Sequence, residues 1–323
     1  MKKYIIFIVR VLLTVIFLSF ILKTVDFSKT IRLTQSLNIV YVIYAFVLIL
    51  LIRIIMAIRW NYILSKNNIR VSLKEIIYIT YISSSFGQFL PGGLGTDLLR
   101  GYQLIKTCKR TAEVSGSIII DRFIGIYSML LLALIGAVLA RIIGISTGLI
   151  LTLLVINAVL GFILYLAQVI RVRLNSSNFG KKSAVKTIDK IWSTFADRKK
   201  IFELLPGILS LSLFVQIMRC FVFYFLYLAY GYSINVIYFI IFIPILFVIT
   251  LIPVSIGGLG IREGTLIYFF STLQIGPEIS TGVGIIFQAL QVLACLPGFF
   301  FWFFRGRASR ERCRSVLGKE SCA

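Results

Sequence analysis

Histidine is missing altogether from this chain of 323 residues, and acids are scarce, with 12 Asp and Glu against 34 Lys and Arg. Without histidine there is no Ser-His or Cys-His nucleophile system and no His-ligated metal centre. Cysteine is sparse too. Cys108, Cys220, Cys295, Cys313 and Cys322 show no metal-ligand spacing, and two fall inside apolar runs. They read as small apolar fillers rather than a disulfide framework. No P-loop is present, so the chain does not hydrolyse ATP itself. Weak period-two alternation argues against a β-barrel. No metal or cofactor is expected.

Apolar sequence is what the chain has in quantity. Hydrophobic residues make up 59% of it, and the mean hydropathy is +0.97. Soluble domains run at about 45–50% apolar and about 25% charged. Repeated runs of nearly twenty apolar residues predict an all-α polytopic membrane protein. Six full transmembrane helices are expected near 4–22, 39–63, 113–139, 145–169, 204–230 and 279–304. Met1-Lys2-Lys3 before an apolar run imitates a secretory signal. No small-x-small cleavage site follows, and Arg10 interrupts the run, so a retained first span is expected.

Two further apolar segments, near 74–105 and 235–275, are broken by glycine. The first break reads Pro91-Gly92-Gly93-Leu94-Gly95-Thr96-Asp97. The second reads Pro253-Val254-Ser255-Ile256-Gly257-Gly258-Leu259-Gly260-Ile261-Arg262-Glu263. Each stops an apolar stretch and restarts a helix, near Leu94 and Leu259, with charge in its first turn. In lipid, irregular backbone is tolerated only where protein or a water-filled cavity surrounds it. Broken segments at matching places in two halves point to a transporter's binding site.

Charge placement sets the expected topology. With the N-terminus in the cytoplasm, segments 1–3, 64–75, 106–113, 171–203 and 305–323 face inward and carry twenty-three Lys and Arg. Outward segments carry only Lys23, Lys29, Arg32 and Arg141, which satisfies the positive-inside rule. This balance requires the two broken segments to be re-entrant helical hairpins. If each crossed once, the basic 171–203 stretch would face outward. The result is one transmembrane bundle, 1–304, made of inverted repeats of about 1–141 and 142–304, then a basic cytoplasmic tail, 305–323. Gly92 and Gly257 lie 165 residues apart, and Arg53 and Arg219 lie 166 apart, so the repeat extends beyond the glycines. The expected setting is the plasma (inner) membrane, with both termini cytoplasmic.

In 171–203, Ile188, Ile191, Trp192, Phe195 and Phe202 are spaced among lysines. The stretch reads either as an amphipathic helix on the anionic inner leaflet or as a solvated loop that fixes topology. The arginine-rich tail is expected to skim the same surface. Nucleic acid is not an expected partner, because no folded soluble module accompanies the charge.

Seven arginines fall within membrane segments: Arg10, Arg53, Arg59, Arg100, Arg122, Arg219 and Arg262. A charge at a span's centre costs about 2.5–3.5 kcal/mol on insertion scales, so it pairs, faces the interior or works. Arg10 and Arg59 lie near helix ends and are expected to snorkel. Arg53, Arg219 and the Asp121-Arg122 pair are too central for that. They either line a cavity or pair with Asp97, Asp121 or Glu263. Membrane acids number only those three, so the interior is short of anions. An anionic ligand would complete the balance, and the planar fork of arginine suits phosphate. The restarted helices also aim unpaired N–H groups at the centre, an anion site unless Asp97 and Glu263 cap them internally. Gln216/Arg219 and Gln288/Gln291 are each three apart and share a face. For the glutamines, interhelical hydrogen bonding is the expected use. The candidate substrate-binding set is therefore Arg53, Gly92, Gly93, Gly95, Asp97, Arg100, Asp121, Arg122, Arg219, Gly257, Gly258, Gly260, Arg262 and Glu263.

With those residues in place, the chain resembles the flippase-like family known from the transmembrane region of lysylphosphatidylglycerol synthases. The matching pieces are Phe89 through Arg100, then Asp121-Arg122, then Pro253 and Gly257 through Glu263, and the similarity covers residues 1–304. The resemblance implies translocation of a charged or glycosylated lipid between leaflets, or an accessory role beside lipid-linked glycan-assembly enzymes. It makes Asp97, Arg100, Asp121, Arg122, Arg262 and Glu263 the family's polar centre. The synthases carry a large soluble transferase domain after the membrane part, and this sequence stops 19 residues past its last expected span. Aminoacyl transfer is accordingly not expected.

The expected function is a lipid translocase for an anionic or glycosylated phospholipid or a polyprenyl-phosphate lipid. Its partners would be membrane lipids and the anionic inner leaflet. Three alternatives stand beside it: a polytopic glycosyltransferase using a lipid-phosphate donor, a solute or anion carrier, and a scaffold for glycan-assembly enzymes.

Overall fold

The structure, a computed structural model, describes residues 25–67, 69–87, 95–140, 198–251 and 258–304. The expected spans at 4–22 and 145–169 lie outside the described residues. So do Gly92, Gly93, Gly257, most of the basic stretch 171–203 and the tail 305–323. The described residues are helical, with no strand among them.

In chain order the helices are α1 (Phe27–Gln35), α2 (Ile39–Lys66), α3 (Leu73–Gly87), α4 (Gly95–Cys108) and α5 (Thr111–Ala140). Then come α6 (Arg198–Ala229), α7 (Val236–Thr250), α8 (Ile261–Ser271), α9 (Pro277–Leu293) and α10 (Leu296–Phe304). Asparagines start two of them. Asn38 Oδ1 accepts from Val40 N at 3.1 Å, and Asn235 Oδ1 accepts from Ile237 N at 3.0 Å. These bonds satisfy donors that a helix N-terminus leaves open.

Four stretches are long and apolar enough to cross a membrane: Ile39–Lys66, Thr111–Leu139, Leu205–Ala229 and Pro277–Phe303. They coincide with four of the six expected spans. The other helices are shorter. At about 1.5 Å per residue, the 15 residues of α7 reach about 22 Å, less than the hydrocarbon core of about 30 Å.

The last span is interrupted between α9 and α10 for a covalent reason. Pro297 has no N–H to give the carbonyl of Leu293, where α9 ends. Cys295 N turns to Val292 O at 2.9 Å, and Ser85 Oγ donates to the carbonyl of Cys295 at 2.5 Å. Cys295 N and the Cys295 carbonyl thus both have partners within the protein, as a dry environment demands.

Two short helices flank each glycine break, and their facing ends meet. A Cβ on Gly87, at the end of α3, would collide with the backbone of Thr96 at the start of α4. A Cβ on Gly258 would lie 3.7 Å from Thr250 Cγ2, at the end of α7. Gly258 and Gly260 have φ of 77° and 81°, the left-handed region that side chains avoid, which is why glycine stands there.

Packing between the two halves is reciprocal. Helices α2 and α6 run against each other, α5 packs on α7, and α10 packs on α3. Each broken pair therefore leans on the final span of the other half. Glycine permits both contacts. A Cβ on Gly136 of α5 would sit 2.8 Å from Ile240 Cγ2, and one on Gly298 of α10 would strike Tyr81 and Ser85 of α3. The apolar core, including Ile49, Phe223, Phe239, Leu266 and Phe287, draws on α2, α6, α7, α8 and α9.

Candidate functional site

At the junction of the halves lies a cavity of about 380 Å³. Its walls come from α2 through α9, and the ends of both broken pairs reach it through Gly87, Thr96, Thr250 and Gly258. Among the described residues, its charged lining is Arg53, Arg59, Arg100, Arg122, Arg219 and Arg262 against Asp97 and Asp121. Six guanidinium groups thus face two carboxylates in a site whose remaining walls mix apolar side chains with Ser, Thr and Gln.

One wall is an ion-pair lattice. Asp121, 2% exposed, accepts from Arg59 Nε on Oδ1 and from Arg100 Nη2 on Oδ2, both at 2.8 Å. Asp97 Oδ1 meets Arg100 Nη2 at 2.8 Å, and Arg122 Nε donates to its Oδ2. All four carboxylate oxygens are therefore occupied by guanidinium. Arg59 also donates to Ser212 Oγ at 2.9 Å, joining α2 to α6. The guanidinium of Arg100 lies 4.7 Å from the ring centroid of Trp60, whose indole N–H donates to Ser117 Oγ.

On the other wall Arg53 and Arg219 take neutral partners. Arg53 Nη2 donates to Gln291 O and Gln291 Oε1, each at 3.0 Å, and approaches Cys295 Sγ at 3.3 Å. The carbonyl of Gln291 is open to it because Cys295 N has turned to Val292 at the proline break. Arg53 Nη1 is buried and has no hydrogen-bond partner among the described residues. Arg219 donates to Gln216 Oε1 at 3.1 Å, approaches Met56 Sδ at 3.7 Å and lies 4.8 Å from the Phe247 centroid. No described carboxylate forms an ion pair with Arg53 or Arg219. Arg262 donates to Gln288 Oε1 at 2.6 Å over the Phe287 ring.

Two acids at equivalent points of the two breaks do different work. Glu263 Oε2 accepts from Gly260 N at 2.6 Å and so caps α8 internally. Asp97 instead gives both oxygens to guanidinium groups. Internal capping, left open for both acids in the sequence, holds for Glu263, while the Arg100 and Arg122 forks claim Asp97.

Of the residues singled out in the sequence, Arg53, Asp97, Arg100, Asp121, Arg122, Arg219, Gly258 and Arg262 line one cavity. Gly95, Gly260 and Glu263 sit beside it at the helix starts, outside the lining. Gly92, Gly93 and Gly257 lie outside the described residues. The expectation for Arg59 is overturned. It does not snorkel to the membrane surface but is 4% exposed and locked to Asp121. The pointer was Asp121 itself, since an acid that deep in a span needs a cation. Gln216 spans α6 to α5, donating to Ser128 Oγ at 3.3 Å, as expected for interhelical bonding. Gln216, Gln288 and Gln291 additionally hold three of the arginines, a use the spacing alone did not reveal.

The family described as the lysylphosphatidylglycerol synthase TM region matches residues 7–298. A UPF0104 membrane protein of Pyrococcus horikoshii is 25% identical over 311 residues, covering 88% of this chain and 91% of that relative. Together with the four membrane-length apolar helices, these likenesses establish an integral membrane protein.

Proposed function

This chain belongs to the family of the lysylphosphatidylglycerol synthase TM region, and from that premise we propose that it is a lipid translocase. Its cargo is an anionic lipid bearing phosphate, a phospholipid or a polyprenyl-phosphate lipid, with or without a glycan. The headgroup occupies the arginine-lined cavity while the tails stay in the bilayer. The reading rests on one observation: six guanidinium groups line a cavity with two carboxylates, and those two are already used. Arginine keeps its proton at any accessible pH, so the excess positive charge is permanent. A buried charge without a counter-ion is costly, and an anionic headgroup relieves that cost.

In this reading the broken pairs α3–α4 and α7–α8 are re-entrant hairpins and the halves are inverted repeats. Reciprocal packing of each pair on the other half's last span supports it. So do the closed ends at Gly87/Thr96 and Thr250/Gly258. The start of each returning helix adds the positive end of its dipole to the cavity. Alternating access follows if the halves rock about the α2–α6 contact. The termini lie in the cytoplasm, where the basic segments 171–203 and 305–323 meet anionic lipid. The protein works in the plasma membrane, beside the enzymes of lipid-linked glycan assembly, and performs no covalent step.

Leaflet-resolved lipid accessibility in reconstituted vesicles tests the proposal. Wild type is expected to exchange a phosphate-bearing lipid between leaflets faster than empty vesicles, and Arg122→Ala is expected to be slow. Equal rates in all three remove the translocase. Uptake of a soluble anion without any lipid exchange favours a carrier.

A further inference from the structure

We infer that the cavity selects a phosphate end group carrying two or more negative charges, a phosphomonoester or pyrophosphate, over a singly charged phosphodiester, and that the phosphate sits against Arg53 and Arg219. The inference rests on the translocase reading and narrows its cargo.

It comes from how charge is divided between the two walls. In the lattice, each of the four oxygens of Asp97 and Asp121 takes one guanidinium contact. That wall is largely compensated from within and has no acid to lend. Across the cavity the partners are amides, a thiol, a thioether and a ring. A glutamine oxygen fixes the direction of a guanidinium fork but leaves its charge intact, whereas a glutamate of the same shape would cancel it. Glutamine stands at both places, at Gln291 for Arg53 and at Gln216 for Arg219. The arrangement holds cations oriented and uncancelled.

Arg53 supplies the second, independent observation. It is 8% exposed, lines the cavity and keeps a buried Nη1 with no hydrogen-bond partner among the described residues. A ligand oxygen there would satisfy that donor. Arg53 and Arg219, on adjoining helices, carry two permanent charges that no described carboxylate pairs with, so a monoanion settles one and a dianion settles both. A phosphomonoester also offers three terminal oxygens to two forks, where a diester has two.

The full-length protein in detergent gives the test, using calorimetric titration with farnesyl phosphate, farnesyl pyrophosphate, short-chain phosphatidylglycerol and inorganic pyrophosphate. Wild type is expected to bind the two farnesyl compounds at least about tenfold more tightly than phosphatidylglycerol. The variants Gln291→Glu and Gln216→Glu place a carboxylate beside Arg53 and Arg219. They are expected to raise the unfolding temperature while erasing the preference, so that loss of binding is not loss of fold. Equal affinity of wild type for the farnesyl compounds and phosphatidylglycerol overturns the inference, as does a preference that survives both variants. Phosphatidylglycerol bound and moved between leaflets as well as farnesyl phosphate overturns the dianion but leaves translocation standing. Tight binding of farnesyl phosphate and inorganic pyrophosphate, with no lipid moved between leaflets, supports the dianion and removes the translocase.

Discussion

Arg53 and Arg219 face one cavity from the adjoining helices α2 and α6, and no described carboxylate pairs with either. Three other arginines a short way across the same space consume both lining acids. The protein has thus separated the guanidinium groups that hold it together from those that remain available.

That separation predicts opposite behaviour on substitution. Arg219→Gln removes a partly buried cation that has no counter-ion among the described residues, so unfolding temperature in detergent should be unchanged or higher. Lipid exchange in vesicles should nevertheless fall by at least about tenfold, the usual trade of stability against function at a strained site.

Asp121→Asn should do the reverse of stabilising. It removes the negative charge between Arg59 and Arg100, each 4% exposed, and turns one of the two acceptor oxygens into an amide donor facing a guanidinium, while Arg100 keeps Asp97. Breaking a buried pair in this way costs about 3–5 kcal/mol, readable by denaturant or thermal unfolding. Asp97→Asn should cost less. Arg100 then retains Asp121, and the Asp97 and Arg122 side chains are 16% and 25% exposed.

A pair of glycine substitutions checks the closed end of the first broken segment. Gly87→Ala would drive its methyl group into the Thr96 backbone, for a loss of about 1–3 kcal/mol and slowed lipid exchange. Gly264→Ala, in the interior of α8 with nothing within 4 Å of the new atom, should gain about 0.5–1 kcal/mol.

The membrane-length helices at 39–66, 111–139, 205–229 and 277–303 were legible because a long apolar run is a property of sequence alone. The breaks were legible too, since a proline followed by several close glycines is a far stronger stop than a lone Pro206 or Pro244, which α6 and α7 carry in their interiors. Pairing was harder. Arg59 near the end of its span could as well have reached water. What decides is Asp121, 62 residues further on, brought beside it by helix packing. Asp97 and Glu263 occupy like positions in two similar turns. Only the approach of Arg100 and Arg122 separates a lattice acid from a helix cap. The span at 279–304 was expected as one full helix, and the break before Pro297 was not read; the use of the Gln291 carbonyl by Arg53 depends on a helix more than two hundred residues earlier.

The occupant of the cavity is the most direct question, and native mass spectrometry of protein extracted gently from its membrane answers it. The account predicts a phosphate-bearing lipid retained by wild type and lost from Arg53→Gln and Arg219→Gln, while Gly264→Ala keeps it. Identical bound lipid in wild type and both arginine variants would contradict the account.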